Sequence, residues 1–186
     1  MKHEWRLRQT LAPGRQVAYT EFDLPRSVTT RDGTTSFAYD ASQRSVKKSG
    51  PAGSTITLGG LYERRESNGS VTHIFHIHGP EGPIAQAVYV EGTGTTAIRY
   101  VHLDALGSVG AITSGTVLER LDYEPFGARQ DAAGNPVAGS ANDVRVGFTG
   151  HRHDDDLGLI DMRGRVYDPT NRRFLTPDPI VGDPLG

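Results

Sequence analysis

Turn-forming residues divide this sequence at short intervals, and that spacing limits the folds open to it. The chain contains 23 glycines and 11 prolines among 186 residues, so about a fifth of it favours turns. Because glycine and proline weaken helices and mark turns, this density predicts an all-β fold of short antiparallel strands joined by tight turns. No stretch shows the periodicity of an amphipathic helix, and only residues 170–175 (TNRRFL) are predicted to form a single helical turn.

The strongest local signal is the pair Asn68-Gly69, which favours a type I′ turn because both residue types tolerate a positive φ. β-prone residues precede and follow the pair. A two-residue turn at this point places Ser67 opposite Ser70 and Tyr62 opposite Phe75. The aromatic pair would reinforce that register, so we predict a hairpin here.

Alternating polar and apolar residues continue beyond the hairpin and predict a meander. The residues predicted to share a strand face are Ile84, Val88 and Val90 in one strand, and Val117, Leu121 and Tyr123 in a later one. Residues 128–143 (ARQDAAGNPVAGSAND) are small, polar and rich in glycine, and we predict that they form a flexible loop.

A loose internal repeat sets an aromatic residue beside an acid at the end of a strand. The three copies are Phe37-Ala38-Tyr39-Asp40, Leu121-Asp122-Tyr123-Glu124 and Arg165-Val166-Tyr167-Asp168. In each copy we expect the ring to pack between strands and the carboxylate to accept backbone N–H groups of the following turn. Units of this kind bury a core only by stacking on one another.

Composition and motifs exclude several classes of function. The net charge is -2, so no global field attracts nucleic acid, and the absence of cysteine excludes disulfides and thiolate metal sites. The N-terminal residues lack the apolar segment of a signal peptide, and no apolar run approaches the roughly 18 residues of a membrane helix. Phosphate-loop, dinucleotide and zincin motifs are missing, so we expect no cofactor, no nucleic-acid partner and no membrane insertion.

Five longer motifs resemble, in family order, the Rhs repeat-associated core domain and its YD-repeat relatives, which include the toxin-complex C components. They are GGLYER, YVHLDALGSVGAIT, LDYEPFG, VGFTGHRHDDDLGLIDMRGRVYDP and RFLTPDP. The resemblance covers residues 34–179. It implies that residues 1–33 belong to a preceding YD repeat and that residues 180–186 are a truncated connecting tail.

The resemblance implies a β-ribbon that spirals into a hollow shell (a cocoon) around a toxic C-terminal segment. The implied partners are that toxin segment, the preceding YD repeats and a plug, cap or secretion-system protein. The implied location is bacterial: cytoplasmic before export, then secreted or at the cell surface as part of a larger protein. The lead interpretation is therefore a structural shell segment that sequesters an effector.

Family members often cut themselves after the core domain with a pair of aspartates, and the resemblance assigns Arg165 and Asp178 to that site. The family's second aspartate has no counterpart before residue 186, so an incomplete self-cleaving module is an alternative function. Arg172 stands where the family has glycine, and we expect a different or mildly strained turn there.

Other polar groups offer weaker candidates. His76 and His78, like His151 and His153, could face one way and bind a metal with an added acid, although we expect polar surface histidines. Asp154–Asp156 could bind Ca²⁺, although a solvated turn is the expected role. The basic pairs are interpreted as charges on strand edges that discourage edge pairing; they are Lys47-Lys48, Arg64-Arg65, Arg163 with Arg165, and Arg172-Arg173.

A third alternative function is carbohydrate binding on the sheet surface, which rests on four tyrosines and the nearby histidines. The tyrosines are Tyr62, Tyr89, Tyr100 and Tyr123. An isolated shell piece has open sheet edges, so we also predict self-association or pairing with a partner through them.

Overall fold

The computed structural model describes residues 9–12 and 14–177, with side chains from residue 14 onward. The fold is all-β, as predicted. Within this part of the chain, twelve strands form one antiparallel sheet in which every strand pairs with the next, and a 2-stranded and a 4-stranded sheet follow. No helix in the described ranges is long and apolar enough to cross a membrane.

The bounds of the elements show how short most strands are. The large sheet contains β1 (Gln9–Ala12), β2 (Arg15–Tyr19), β3 (Pro25–Thr30), β4 (Gly33–Tyr39), β5 (Ser45–Gly50), β6 (Gly53–Leu58), β7 (Tyr62–Ser67), β8 (Ser70–Gly79), β9 (Gly82–Val90), β10 (Thr96–Leu103), β11 (Val109–Ser114) and β12 (Thr116–Arg120). The small sheets contain β13 (Asp122–Tyr123) with β14 (Arg129–Gln130), and β15 (Arg152–Asp154), β16 (Leu159–Asp161), β17 (Val166–Asp168) and β18 (Arg173–Phe174).

The predicted hairpin forms between β7 and β8. Asn68 has a φ of 50° and Gly69 a φ of 75°, the left-handed values that a type I′ turn requires. Ser67 pairs with Ser70 and Tyr62 with Phe75, which confirms the predicted register. The rings of Tyr62 and Phe75 lie 5.2 Å apart and support that pairing.

In the predicted repeat, Asp40 and Asp168 each cap the turn that follows: Asp168 Oδ1 accepts the Asn171 N–H at 2.9 Å, whereas the Glu124 carboxylate lies 3.7 Å from Arg172 Nη2. Asp40 Oδ1 accepts the backbone N–H groups of Ser42 and Arg44 at 2.8 and 2.9 Å. Asp104 and Asp131, which the repeat did not include, make the same pair of bonds as Asp40 in the turns 104–108 and 131–135. The fourth residue of each of these three turns has a positive φ: 61° at Gln43, 81° at Gly107 and 84° at Gly134.

After β12 the chain turns back and packs against one face of the large sheet. We call residues 121–177 the cover segment. Apolar side chains of the sheet and the cover segment meet in two clusters; the first contains Val17, Val28, Leu157, Leu159 and Leu175, and the second contains Val101, Val109, Ile112, Leu121 and Val144. The core therefore lies between the large sheet and the cover segment.

Several local predictions are wrong, and the path of the chain explains each. Val117 is 54% exposed whereas Leu121 is buried, because a register shift in the pairing of β11 with β12 lies between them and reverses the face on which alternate residues lie. Ile84 is also exposed although Val88 is buried, and a register shift in the pairing of β8 with β9 lies near its end.

The predicted helical turn at residues 170–175 is absent, because Arg173 and Phe174 form β18. Arg172 has a φ of 56°, so this turn does place a non-glycine residue in the left-handed region, as its departure from the family pattern suggested. The one short 3-10 helix in the described residues is Phe148–Gly150.

The predicted loop 128–143 contains β14 and an isolated bridge between Gln130 and Pro136. Its Ser140–Asn142 turn is held by Glu119 of β12, whose carboxylate accepts the N–H groups of Ala141 and Asn142. The flexibility of this segment stays a prediction.

Candidate functional site

Charged side chains fill the space between the two apolar clusters. On the sheet side they come from β5, β7 and β8, and on the other side from the cover segment. We call this group the charge layer; its members are Lys48, Glu63, Arg65 and His76 of the sheet, and Arg129, Asp143, Arg145, Arg152, His153, Asp154, Asp155 and Asp156 of the cover segment.

Glu63 occupies the middle of the charge layer and is only 5% exposed. Its Oε2 accepts a hydrogen bond from Arg65 Nε at 2.8 Å, and its Oε1 lies 3.2 Å from His76 Nε2. Arg152 of the cover segment approaches the same oxygen at 3.7 Å. Burial alone raises the pKa of the Glu63 carboxyl, but the cations around it, Arg152 first, outweigh burial and hold that pKa well below its ordinary value.

Lys48 joins β5 to the cover segment over a long sequence separation. Its Nζ donates to Asp154 Oδ1 at 3.0 Å and also to Asp156 Oδ1. Lys48 and Asp154 are both buried, so neither charge is solvated by bulk water. Loss of one partner would leave the other charge buried and uncompensated, which is the costly case for an ion pair.

Arginines extend the charge layer on both sides. Arg65 donates from Nη1 to the carbonyl oxygen of Asp143 at 2.8 Å and also to the carboxylate of that residue. In the opposite direction, Arg145 and Arg152 of the cover segment donate to the hydroxyls of Thr55 and Thr57 at 3.1 and 2.8 Å. These directional bonds fix the position of the cover segment along β6 and β7.

His153 of β15 is buried against the second apolar cluster. Its Nε2 accepts the backbone N–H of Phe148 at 3.1 Å, and its Nδ1 lies 3.9 Å from Asp155 Oδ1. Burial first, then the charges of Arg129 and His151, lower the pKa of His153 to about 3. The imidazole is therefore neutral at neutral pH.

A cavity of about 320 Å³ opens at the rim of the charge layer. Lys48, Arg65 and Arg145 supply its positive groups, and Asp143 and Asp156 are among its acids. These cations pair with acids of the same lining, so each of them already has a partner within the cavity.

Only one of the two residues predicted for self-cleavage lies within the described part of the chain. Asp178 lies outside the described residues. Arg165 is half-buried, and its guanidinium lies 3.7 Å from the centroid of the Phe174 ring. Their catalytic role stays a prediction.

The four candidate metal-binding histidines lie in different surroundings. The rings of His76 and His78 are 6.4 Å apart, but His76 contacts Glu63 while His78 is exposed. His151 Nδ1 lies 2.9 Å from the Thr149 hydroxyl. No three His, Asp or Glu side chains come close enough to hold a metal ion in the ranges that the structure describes.

The expected solvated acids and edge cations are the main errors of the sequence interpretation. Asp154 is buried rather than solvated, and Lys48 and Arg65 lie in the middle of the sheet rather than at an edge. One signal could have found them: the hairpin register sets Glu63 opposite Ile74, an apolar residue. Alternation then places Glu63 and Arg65 on the face that Ile74 buries.

The tyrosines proposed for carbohydrate binding do not form one surface. Tyr62 and Tyr89 flank His73 on the uncovered face of the sheet, with ring centroids 6.0 and 5.8 Å from it, and Tyr100 is exposed. Tyr123 instead packs against the second apolar cluster and donates to the carbonyl oxygen of Val109 at 2.9 Å.

Comparison with known proteins agrees with this architecture. A family model described as Teneurin YD-shell matches residues 21–184. Among solved structures, TcdB2-TccC3-TEV matches with a TM-score of 0.75 and 18% identity, over 92% of this chain and 9% of that one. The Photorhabdus luminescens Tc holotoxin pore matches with a TM-score of 0.73 and 18% identity, over 93% of this chain and 9% of that one. At this identity the structural matches show the fold alone.

Curated relatives include bacterial nucleases and one bacterial toxin. The tRNA3(Ser)-specific nuclease WapA of Bacillus spizizenii is 35% identical over 89 residues, 45% of this chain and 4% of its own length. Double-stranded DNA deaminase toxin A of Burkholderia cenocepacia is 27% identical over 175 residues, 78% of this chain and 12% of its own length. The chain therefore spans a small fraction of these relatives, and their activities are not its own by this match.

Proposed function

The chain belongs to the Teneurin YD-shell family, and from that premise we propose that it is a structural segment that closes a β-shell around an effector polypeptide. The resemblance to Rhs and YD-repeat proteins is confirmed at the level of family and fold. Enclosure of an effector, the absence of catalysis and the partners of the shell are parts of this proposal.

The observation that carries the proposal is the return of the chain after β12. The described chain does not extend the sheet beyond Arg120, because it turns at Leu121 and packs on one face of the sheet. A shell wall has an inner and an outer face, so a segment that folds back across one face is suited to end the wall.

We call the contact between the large sheet and the cover segment the seam. The bonds across it suit a closure that must hold against an enclosed chain. Apolar clusters supply adhesion without direction, whereas Lys48 with Asp154 and Arg152 with Thr57 fix one position. A seam of this kind holds the cover segment in place on the covered face, so that face is not open to a substrate. We therefore expect sequestration of the effector rather than turnover of a substrate.

The proposed partners follow from this role. They are preceding YD repeats, which would continue the sheet beyond β1, the enclosed effector segment, and a plug, cap or secretion-system protein. The match to a much longer bacterial toxin supports a protein exported as part of a larger toxin.

A chimera tests the closure. Residues 14–177, which keep Val17 of the first apolar cluster, would replace the matched region of TcdB2-TccC3, which has the same fold. Limited proteolysis would then follow the hypervariable C-terminal region of that protein. We expect protection in the chimera and loss of protection when Glu63→Ala and Lys48→Met weaken the seam. Degradation of that region in a folded, unmodified chimera would contradict the proposal.

The matched control is Glu66→Ala, which removes an exposed partner of Arg64 on the same strand as Glu63. Its chimera should protect the C-terminal region as well as the unmodified one does.

A further inference from the structure

His153 lies beside the buried cation Arg129, where protonation of the imidazole would add a second positive charge. Its side chain is buried, with 4% of the residue exposed, and its Nε2 is occupied as an acceptor by the Phe148 N–H. The proton of the neutral ring must then be on Nδ1, which points toward Asp155. A proton added to Nε2 would face the Phe148 N–H donor directly.

The groups packed around His153 add to this conflict. Arg129 of β14 is likewise 4% exposed, and His151 adds a second imidazole nearby. Asp155, the nearest acid, already lies 3.3 Å from Arg129 Nε, and the Tyr123 ring packs 5.9 Å from His153. Burial holds the pKa of Tyr123 at about 12, so this hydroxyl supplies no negative charge near neutral pH.

No free space relieves the crowding. A Cβ built on Gly147 would lie 2.7 Å from His153 Nε2 and 3.1 Å from Arg129 Nη2, so both side chains press against the backbone there. A protonated His153 would be repelled by the Phe148 N–H and by Arg129. Residues 147–149 would have to move to separate them.

Residues 147–149, beside His153, also form part of the seam, because they bond to the large sheet. The Val109 N–H donates to Gly147 O at 3.3 Å, and the Thr149 N–H donates to Ser108 Oγ at 3.1 Å. The His153 N–H donates to Arg145 O at 2.7 Å on the other side of the same loop. Displacement of residues 147–149 would therefore detach this end of the cover segment from the start of β11.

We propose that His153 is an acid-sensitive catch: its protonation releases residues 147–149 from Ser108 and Val109 and loosens the cover segment at this end of the sheet. The inference rests on the proposed function, because release of the cover segment matters for a shell that must open. The lowered pKa of His153 agrees with the geometry, since burial and Arg129 both disfavour the charged ring.

The sign of the effect follows from proton linkage. The closed state binds the proton only near pH 3, whereas an opened state binds it near the ordinary pKa of 6.5. Opening is therefore favoured as pH falls below about 6.5, by roughly tenfold for each pH unit. Between pH 6.5 and 4.5 the population of the opened state should rise by about 50-fold, because half of the opened state already holds the proton at pH 6.5.

Amide hydrogen exchange on the full chain tests this directly. The protection factors of Phe148, Thr149 and Val109 should fall by that amount between pH 6.5 and 4.5. His153→Gln offers an oxygen that can accept the Phe148 N–H and does not titrate, so the fall of protection over the same range should be several-fold smaller; what remains comes from His151, whose pKa burial also lowers. The control His78→Gln, at an exposed position on β8, should behave as the unmodified chain does.

Equal pH dependence in the unmodified chain and in His153→Gln would overturn the catch. If His153→Gln does not fold, nuclear magnetic resonance of the imidazole nitrogens decides, because a ring that titrates near 6.5 in the folded chain contradicts the proposal. The chimera and this experiment fail separately: an unprotected C-terminal region with an intact pH slope would overturn the shell closure alone.

Discussion

The apolar clusters and the charge layer hold the same two surfaces together by different means. At each end of the seam, side chains such as Val28 and Ile112 are fully buried and need no exact partner. In the middle, Lys48, Glu63 and Arg65 are almost as buried but depend on specific atoms across the seam. Apolar burial gains free energy in many arrangements, whereas a buried ion pair compensates its desolvation in one.

This difference suggests a division of roles. We infer that the clusters provide most of the adhesion and that the charge layer selects the position of the cover segment on the sheet. Replacing a buried ion pair by apolar residues is often neutral for stability, but removing one partner is not. Single substitutions in the two regions should therefore lower the free energy of unfolding for different reasons. The largest expected losses come first.

The largest effect is expected from Glu63→Ala in the charge layer. The substitution leaves Arg65 and Arg152 without their buried acid, and we expect the free energy of unfolding to fall by about 4 kcal/mol. Urea denaturation followed by circular dichroism measures this loss. Glu66→Ala on the same strand is the control and should cost less than about 1 kcal/mol, because its pair with Arg64 is exposed. Equal costs at both positions would remove the distinction between buried and exposed charges.

In the second apolar cluster, Ile112→Ala should lower the free energy of unfolding by about 3 kcal/mol through lost burial and a residual cavity. The control Ile98→Ala concerns a partly exposed side chain on the uncovered face and should cost about 1 kcal/mol or less. The same denaturation experiment compares them. A cost below about 1 kcal/mol for Ile112→Ala would show that the seam does not pack as described.

Asp161, at the rim of the charge layer, should make stability depend on pH in the opposite direction to His153. Burial, helped by Asp154, raises the pKa of the Asp161 carboxyl to about 6, from an ordinary value of 3.8. The folded chain therefore binds a proton that the unfolded chain does not, and this contribution grows as pH falls from about 6 to about 4.

Relative to Asp161→Asn, the unmodified chain should gain about 1 kcal/mol in its free energy of unfolding between pH 6 and pH 5. Denaturation series at the two pH values measure the difference. Asp32→Asn, at an exposed turn position, should show no such change. A difference that is constant with pH would contradict the raised pKa of Asp161.

A smaller effect is expected at the turns outside the seam. Asp40→Ala removes the acceptor of the Ser42 and Arg44 N–H groups, and we expect a loss of about 1 kcal/mol, since the turn is exposed and water can replace the bonds. Asp40→Asn should restore part of it, because its side-chain oxygen accepts the same bonds. Thermal unfolding measures both, and an unchanged melting temperature in Asp40→Ala would show that the cap is dispensable.

The sequence predicted the features that depend on neighbouring residues. Asn68-Gly69 defined its hairpin and register, and the acids Asp40 and Asp168 at strand ends defined their turns, because a turn is decided by a few adjacent residues. The family and the all-β class were predicted for the same reason, since long motifs contain many such local signals.

The charge layer was not predicted because its partners are distant in the chain. Lys48 and Asp154 are separated by 106 positions. Each stands among polar residues in the sequence, as a solvated residue would. Only the return of the cover segment across the sheet buries them. The path of that return depends on packing between segments, which neither strand periodicity nor turn signals contain.

A double-mutant cycle between Lys48 and Asp154 tests the seam most directly. The free energies of unfolding of Lys48→Met, Asp154→Asn, the double variant and the unmodified chain give the coupling between β5 and the cover segment. We predict a coupling of about 2 kcal/mol, with the double variant less destabilised than the sum of the single variants. Additive single effects, with a coupling near zero, would contradict the claim that buried charges position the cover segment on the sheet.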